Sequence, residues 1–164
     1  MAGQAEIKAK LAELKVLSPS GYALALHIRY TTPTFLFQTY EKKWLDHYSQ
    51  NGYVMTDPAV HWGFENRGSR TWAELADLDV AGVFKAAAEH GLKYGIACAV
   101  GEDASPSICA FARPDRDFTQ AETDEIMGHL HEMHALTDNL QALSPETAAA
   151  LKEMSILYTH PAND

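Results

Sequence analysis

The chain has 164 residues, 46% of them apolar, and its 22 acidic against 13 basic side chains give a formal net charge of −9. This length suits a single domain with one core. The negative charge and the lack of a basic run argue against nucleic-acid binding by these residues alone. The charged, amphipathic N-terminal segment is unlike a secretory signal, and no stretch of the sequence reaches the ~18 apolar residues of a membrane span, so we expect a cytoplasmic protein.

The first half of the chain predicts a helix, a hairpin and a second helix. Apolar residues recur at helical spacing over residues 4–17, and a Ser-Pro-Ser-Gly segment ends that pattern. Residues 22–29 alternate as a strand covered on one face does, and a second strand follows over residues 34–40. The helix predicted over residues 41–52 ends at Asn51-Gly52. The covered face of the first strand would consist of Tyr22, Leu24, Leu26 and Ile28.

The second half predicts two helices, a second hairpin and a long final helix. Asp57-Pro58 suits the N-cap and first turn of a helix over residues 59–68. Another helix is predicted over residues 79–91, with Val80 and Val83 on its inward side. Strands follow over residues 92–100 and 105–113. A capping box of Thr119 and Glu122 then begins a helix whose apolar stripe continues through Leu140 and Leu143.

Short connections between the strands favour an antiparallel sheet covered by helices, an α+β arrangement found in small-molecule sensor modules. Cys98 and Cys109 flank a predicted turn at Glu102–Ser105, so the hairpin would make them cross-strand neighbours within bridging distance. In a reducing cytoplasm we expect two buried thiols rather than a disulfide.

Motifs for catalysis and metal binding are weak. The sequence contains no Gly-x-Ser-x-Gly, no phosphate-binding glycine loop and no His-Glu-x-x-His. In the segment HLHEMH, His131 and His134 share a helix face while His129 points elsewhere. We interpret this segment as solvent-facing or interface histidines rather than a metal site. The sequence therefore predicts neither an enzyme nor a bound metal or cofactor.

Three aromatic residues spaced four apart, Tyr40, Trp44 and Tyr48, would form a stripe on one helix face. Core packing is the simplest interpretation of the stripe, and helix capping is the simplest one for Asp57. The alternative is a pocket for an amphiphilic small molecule, since such pockets combine aromatic walls with a few polar groups. A ligand amide N–H would satisfy the buried carboxylate without adding a second charge. Further wall residues could be Trp62, Phe64 and Trp72.

The ordered set Tyr40-x3-Trp44-x3-Tyr48, Asp57-Pro58, Trp72 and Gly91-x3-Gly95 resembles the autoinducer-binding domain of LuxR-type quorum-sensing regulators. The resemblance covers residues 5–142. It implies an α-β-α sandwich around a five-stranded antiparallel sheet, a PAS/GAF-like sensor architecture. Between the sheet and the helices on one side it would enclose an N-acyl-homoserine lactone, with no other cofactor.

The resemblance also implies a role for each matched residue. Trp44 would donate its indole N–H to the lactone carbonyl, and Tyr40 would donate its hydroxyl to the acyl carbonyl. Asp57 would accept the ligand amide N–H. Tyr48 would pack along the acyl chain, and Trp72 would wall the lactone ring. Gly95 would be a structural glycine at the start of a strand.

The sequence departs from the family pattern at the acyl head group. Many family members place Ser or Thr on the strand over residues 105–113, where this chain has Ala110 at the matching position, with Ser107 and Cys109 nearby. We include Ser107 and Ala110 among the predicted ligand-binding residues, although a hydrogen bond there, and with it a preference for a 3-oxo substituent, is in question. Acyl-chain length stays open.

The last region raises the question of domain organisation. We divide the chain into an autoinducer-binding domain, residues 1–142, and a tail, residues 143–164. The tail is either the start of the helix-turn-helix module through which family regulators bind DNA, or a last helix of the sensor domain. A homodimer is expected through the long helix, residues 119–143. The alternatives are a natural truncate that forms inhibitory heterodimers with a full-length regulator, and an orphan receptor for another small molecule.

Overall fold

The computed structural model describes residues 2–30, 32–138 and 145–159, including their side chains apart from 2–4, 147 and 154–159. A five-stranded antiparallel sheet forms the middle layer. Its strands are β1 (Gly21–Arg29), β2 (Thr32–Gln38), β3 (Gly68–Thr71), β4 (Tyr94–Val100) and β5 (Ser107–Arg113). They lie in the order β2-β1-β5-β4-β3, and the predicted α+β fold is confirmed.

Helices cover both sides of this sheet. On one side lie α1 (Ala2–Leu17), α6 (Gln120–Leu136) and α7 (Pro145–Thr159). On the other lie α2 (Lys42–Gln50), α3 (Pro58–Glu65), α4 (Trp72–Leu75) and α5 (Val83–Glu89), with 3-10 turns at Tyr53–Met55 and Ala76–Leu78. The sheet therefore has two faces of different composition.

The face toward α1, α6 and α7, which we call the core face, carries large apolar side chains. Alternation along each strand places them there, as expected for a sheet with one apolar face against helices. Burial of each stabilises the fold by roughly 1.5–3 kcal/mol. Tyr22 also donates its hydroxyl to the carbonyl of Leu11 at 3.2 Å, which ties β1 to α1. The sheet residues of this face include Tyr22, Leu24, Leu26, Phe35, Phe37, Ile96, Cys98, Val100, Cys109 and Phe111.

The opposite face, which we call the alanine face, is lined by small side chains. Its residues alternate with those of the core face along β1, β4 and β5 and pack against α2–α5. Because a methyl group reaches only a short way above the sheet, the helices on this side supply most of the bulk of their layer. The sheet residues here include Ala23, Ala25, Ala97, Ala99, Ala110 and Ala112.

Helix α7 lies against β2 and α1, and its Leu151 is fully buried within the core-face cluster. This placement fits the alternative in which the tail supplies a last helix of the sensor domain. The proposed boundary between residues 142 and 143 lies outside the described residues, and the division into two domains stays a prediction.

Three predicted helix boundaries are wrong. The helix predicted over residues 59–68 ends at Glu65, and Gly68 already begins β3. Val80 does not face inward: it is 97% exposed, and α5 begins only at Val83. The cause is Asp79, whose carboxylate accepts the backbone N–H groups of Val83 and Phe84, both at 2.8 Å, and so fixes the start of the helix.

The long helix begins as predicted, with the Thr119–Glu122 capping box, but it ends at Leu136. Thr137 follows at the C-cap, so the helix does not continue to residue 143. Within the described part, the apolar stripe is used by the chain's own core, because Ile126, Leu130 and Met133 are fully buried. Leu140 and Leu143 lie outside the described residues.

The alternation predicted for β1 breaks at one residue. His27 has a φ of 53°, in the left-handed region, and this turn of the backbone moves Ile28 to the alanine face, where it packs with Ala25 and Ile108. The predictions also missed the short strand β3, because its sequence Gly-Ser-Arg-Thr shows no apolar alternation. The hairpin prediction is confirmed: Cys98 and Cys109 are cross-strand partners and both are free, buried thiols. None of the helices in the described part of the chain is long and apolar enough to cross a membrane.

Candidate ligand-binding site

The alanine face provides the floor beneath the predicted site residues. Gly95 in β4 lets Trp72 lie directly on this floor, since a Cβ atom at Gly95 would fall only 2.1 Å from Cδ2 of the indole. That contact is the physical reason for the glycine predicted at the start of the strand. Gly63 in α3 similarly lets the helix approach Ile108, whose Cγ2 lies 2.5 Å from where a Cβ atom would be.

Trp72 opens α4 and forms one wall above the sheet. A capping box between Thr71 and Glu74 sets the start of this helix. The indole stacks on Phe84 of α5 with ring centroids 5.0 Å apart and an angle of 8° between the planes. The Trp72 indole N–H is buried and has no hydrogen-bond partner among the described residues. Because buried donors are almost always paired, this group indicates a place where an acceptor can bind.

Helix α2 supplies the second wall. Tyr40 precedes the helix and donates its hydroxyl to the carbonyl of Ala110 at 3.3 Å, so it spans from α2 to β5. The ring rests on Gly21, where a Cβ atom would lie 2.7 Å from Cδ1 of Tyr40. Trp44 is 4% exposed and meets Tyr48 edge to face, with centroids 5.7 Å apart. The three predicted aromatics thus belong to one cluster against the sheet, but only Trp44 and Tyr48 lie on the helix, because Tyr40 comes before the N-cap residue Glu41.

Asp57 joins this wall to α3. Its Oδ1 accepts the backbone N–H of Ala59 at 2.9 Å, so the carboxylate is the N-cap of α3. Its Oδ2 accepts the hydroxyl of Tyr48 at 2.8 Å. Asp57 is only 9% exposed. The capping interpretation is therefore correct, and the same side chain also lies within the aromatic cluster.

Burial sets the protonation of these groups. It raises the pKa of Asp57, while the hydrogen bonds from Tyr48 and from the start of α3 act in the opposite direction. Burial, followed by the charge of Asp57, also raises the pKa of Tyr40 and Tyr48 above the usual tyrosine value. Both phenols consequently remain protonated donors at neutral pH, with an acceptor carboxylate beside them.

Sequence reasoning missed the residues that surround Trp44 on its outer side. The ring of Trp44 lies 5.3 Å from that of His90 and 6.1 Å from that of Tyr53. His47 completes this group, with Nε2 3.3 Å from the Tyr53 hydroxyl. Tyr53 lies in a 3-10 turn and His90 caps α5, so neither follows the helical spacing that revealed the stripe.

The structure brings five of the seven predicted ligand-binding residues, namely Tyr40, Trp44, Tyr48, Asp57 and Trp72, to one side of the sheet. Ala110 lies in the floor beneath them, and its carbonyl accepts Tyr40. Ser107 points to the core face instead, where its hydroxyl contacts His27 and His134. We therefore leave Ser107 out of the proposed ligand contacts. Of the other aromatic candidates, Trp62 packs on Ile108, and Phe64 is 42% exposed.

A buried carboxylate, buried phenol and indole donors, and a small-residue floor define a site of the kind found in small-molecule binding domains. The family profile described as "Autoinducer binding domain" matches residues 21–142. The match covers well over half of the chain, so the chain belongs to this family, the signal-sensing domain of LuxR-type regulators. Domains of this family bind small-molecule autoinducers and are not enzymes.

Solved structures show the same fold. SdiA in complex with octanoyl-rac-glycerol has a TM-score of 0.61 at 15% identity, over 85% of this chain and 63% of that chain. Residues 1–171 of E. coli SdiA in solution give 0.57 at 17%, over 93% and 90%. CepR2 of Burkholderia cenocepacia, an N-acylhomoserine lactone dependent LuxR family transcription factor, gives 0.54 at 13%, over 84% and 94%.

These identities establish a likeness of fold alone. The chain spans less than two thirds of the SdiA chain in the octanoyl-rac-glycerol complex. A search of curated proteins finds no match.

Proposed function

We propose that this domain senses an N-acyl-homoserine lactone, and that it does so as part of a quorum-sensing regulator of transcription. The observation that carries the proposal is the buried carboxylate of Asp57 within an aromatic cluster. A buried carboxylate is costly unless donors surround it. Two donors are present in the structure, and a secondary amide N–H would supply a third without bringing a second charge into the site.

The remaining polar groups match the rest of such a ligand. Trp44 would donate its indole N–H to the lactone carbonyl, and Tyr40 would exchange its 3.3 Å bond to the Ala110 carbonyl for one to the acyl carbonyl. Trp72 would lie against the lactone ring, and its unpaired indole N–H is available to a ligand oxygen. Tyr48 would contact the acyl chain with its ring while its hydroxyl holds Asp57. A hydrolysed lactone would bring a carboxylate close to Asp57, and this repulsion would favour the intact ring.

The floor bears on which acyl chain is accepted. Ala110 has no hydroxyl that could bind a substituent next to the amide, so we expect little discrimination between 3-oxo and unsubstituted chains. The methyl groups of the alanine face offer apolar contact to the chain itself. Ligand binding would also stabilise the fold, by about 4 kcal/mol at a thousandfold excess over the dissociation constant.

The test measures the dissociation constants of a panel of lactones for the purified domain and for two variants of it. Asp57→Asn keeps a side-chain oxygen for the N-cap of α3, because Asn and Asp cap equally well, but it removes the charge and one acceptor. Trp44→Phe keeps most of the ring contacts and removes the indole N–H. We expect each to weaken lactone binding by more than about tenfold, because each leaves a buried ligand group unpaired.

The matched control uses the two faces of the sheet. Tyr40→Phe and Tyr22→Phe remove the same hydroxyl from a buried tyrosine, the first on the alanine face and the second on the core face. Only Tyr40→Phe should weaken lactone binding. Normal lactone affinity in folded Asp57→Asn and Trp44→Phe would show that the site has been assigned wrongly.

A second candidate ligand is an acylated head group without a lactone. The observation in its favour is that SdiA, which shares the fold, has been solved with octanoyl-rac-glycerol. The binding panel should therefore include a monoacylglycerol of the same chain length as each lactone. Tighter binding of the glycerol ester than of the lactone of the same chain length would favour this candidate; the ligand ranking decides, because the two glycerol hydroxyls can also donate to Asp57.

Regulation of transcription would require DNA binding through a helix-turn-helix region, and we include such a region in the proposal. A homodimer and a cytoplasmic location also belong to it. The described part of α6 gives its apolar stripe to its own core, so a dimer contact there would have to use the polar side of the helix or residues 139–143. Mass measurement of the ligand-bound domain in solution tests the dimer; a monomeric mass would contradict it.

A further inference from the structure

A second group of polar side chains lies on the core face, away from the candidate ligand site. His27 of β1 is 4% exposed, and its ring stacks on that of His134 in α6, with centroids 4.0 Å apart and an angle of 26° between the planes. Asp138 follows at the end of the helix, with Oδ1 3.9 Å from His27 Nδ1. Ligand atoms of the three residues all lie within 4.8 Å of one another.

The hydrogen bonds of His27 fix which of its nitrogens carries the proton. Nε2 lies 2.9 Å from the carbonyl of His134 and 3.0 Å from the hydroxyl of Thr137. A carbonyl can only accept, so Nε2 must be the donor, and in the neutral ring Nδ1 keeps a lone pair. This lone pair faces the Asp138 carboxylate. His27 Nδ1 and Asp138 Oδ1 are then two acceptors that face each other, and a cation bound between them would satisfy both. The Ser105 hydroxyl lies 3.5 Å from Nδ1 and makes only a long contact.

His134 is held in a comparable way. Its Nδ1 lies 2.7 Å from the hydroxyl of Ser107, which also accepts the backbone N–H of His27 at 3.0 Å. In the tautomer in which Nδ1–H donates to Ser107, Nε2 of His134 carries the lone pair; this nitrogen lies beside Gly101, where a Cβ atom would be only 2.6 Å away, so the ring would have to turn to bind an ion. Hydrogen bonds from the outer nitrogen are typical of metal-binding histidines.

We propose that His27, His134 and Asp138 bind a divalent transition-metal ion, such as Zn²⁺, which fastens β1 to the end of α6. Two imidazoles and one carboxylate form a common ligand set for Zn²⁺, with water in the fourth position. Zn–N bonds of about 2.0–2.1 Å require the three groups to approach by about 1 Å and the two rings to splay apart. Asp138, 70% exposed, has the freedom to move inward.

A surface depression lies beside the three proposed ligands, and the positive charge of Arg67 lies near them. This depression, of about 630 Å³, is lined by Ser105 and Asp138, two residues whose oxygens lie 3.5 and 3.9 Å from His27 Nδ1. Arg67 is the nearby cation that would oppose binding, but its guanidinium is paired with Asp103 at 3.1 Å. This site does not depend on the proposed lactone site, because it lies on the other face of the sheet.

The test is titration of tag-free, chelator-treated protein with Zn²⁺ by calorimetry. We expect one equivalent to bind, and the melting temperature to rise by about 5 °C or more at a hundredfold excess over the dissociation constant. His134→Ala and Asp138→Asn should each weaken binding by about tenfold or more. Asp138→Asn guards against misfolding, since this side chain is largely exposed.

Two control substitutions locate the ion. His131→Ala removes an exposed histidine from the same helix and should leave Zn²⁺ binding unchanged. His129→Ala removes the histidine of a separate group, Glu13, Glu125 and His129, and should also have no effect. Loss of binding in His129→Ala but not in Asp138→Asn would overturn the proposal, as would the absence of Zn²⁺ binding to the unsubstituted protein.

Discussion

The core face and the alanine face differ in what fills the space above the sheet. On the core face, large side chains of the strands interlock with α1, α6 and α7, and the contacts are mainly apolar, with the Tyr22 hydroxyl and the His27–His134 group as polar exceptions. On the alanine face the strands contribute methyl groups, while α2–α5 bring rings with hydroxyl, indole and carboxylate groups directed into the layer. The core face mainly stabilises the fold, whereas the alanine-face layer carries the polar groups that could contact a ligand.

The largest expected effect is on the core face. Phe111→Ala should lower the free energy of unfolding by about 3–5 kcal/mol, since Phe111 is fully buried and its loss leaves a cavity. The same change on the alanine face, Phe84→Ala, should cost less than about 2 kcal/mol, because Phe84 is only partly buried. Urea denaturation of both variants without ligand makes the comparison. Equal losses would mean that the two faces do not divide stability in this way.

An intermediate effect is expected from two glycines. Gly95→Ala should destabilise the domain by about 1–3 kcal/mol and shift Trp72, because the new methyl group would overlap the indole. Gly128→Ala is the control: nothing lies near its Cβ position in the exposed side of α6, so it should stabilise the helix by about 0.5–1 kcal/mol. Denaturation gives both values, and tryptophan fluorescence in a Trp44→Phe/Trp62→Phe background, in which Trp72 is the one indole left, reports the shift of its ring. An unaltered indole signal in Gly95→Ala would contradict the proposed contact.

The smallest expected effect is on the pH dependence of stability. Burial raises the pKa of Asp57 in the folded state, so the wild type loses stability as pH rises from the unfolded value through the raised folded value. Asp57→Asn lacks this titration. The free energy of unfolding of Asp57→Asn, relative to that of the wild type, should therefore increase from pH 3 to pH 7. At pH 3 the two proteins should differ by less than about 1 kcal/mol, because Asn also caps the helix. A difference independent of pH would show that Asp57 ionises as it does in the unfolded chain.

Much of the fold could be predicted because its determinants are local. The Thr119–Glu122 capping box and the alternation from Tyr22 to Leu26 are set by neighbours in sequence, and both predictions agree with the structure. The errors arise where a distant or irregular contact decides. Asp79, the first residue of the predicted helix, instead caps α5 from outside it, and the left-handed backbone of His27 moves Ile28 to the other face.

The candidate site divides in the same way. Trp44 and Tyr48 follow the helical spacing of α2, and Tyr40 lies just before the helix, so the four-residue spacing found all three although only two are helical. Ser107 and Ala110 lie three residues apart on β5, so strand alternation alone already places them on opposite faces, and the two could not both belong to one site. The bond between Tyr48 and Asp57 depends on how α2 and α3 meet across a 3-10 turn, which no local pattern encodes.

The two bonds made by Asp57 also bear on the entropy of binding. A carboxylate can accept about four hydrogen bonds, and two of these positions are occupied by Ala59 and Tyr48. The acceptor is therefore preorganised: its rotamer is set by the start of α3 and by α2 before any ligand arrives. A ligand amide would occupy a further lone pair without having to order this side chain, so less conformational freedom is lost on association.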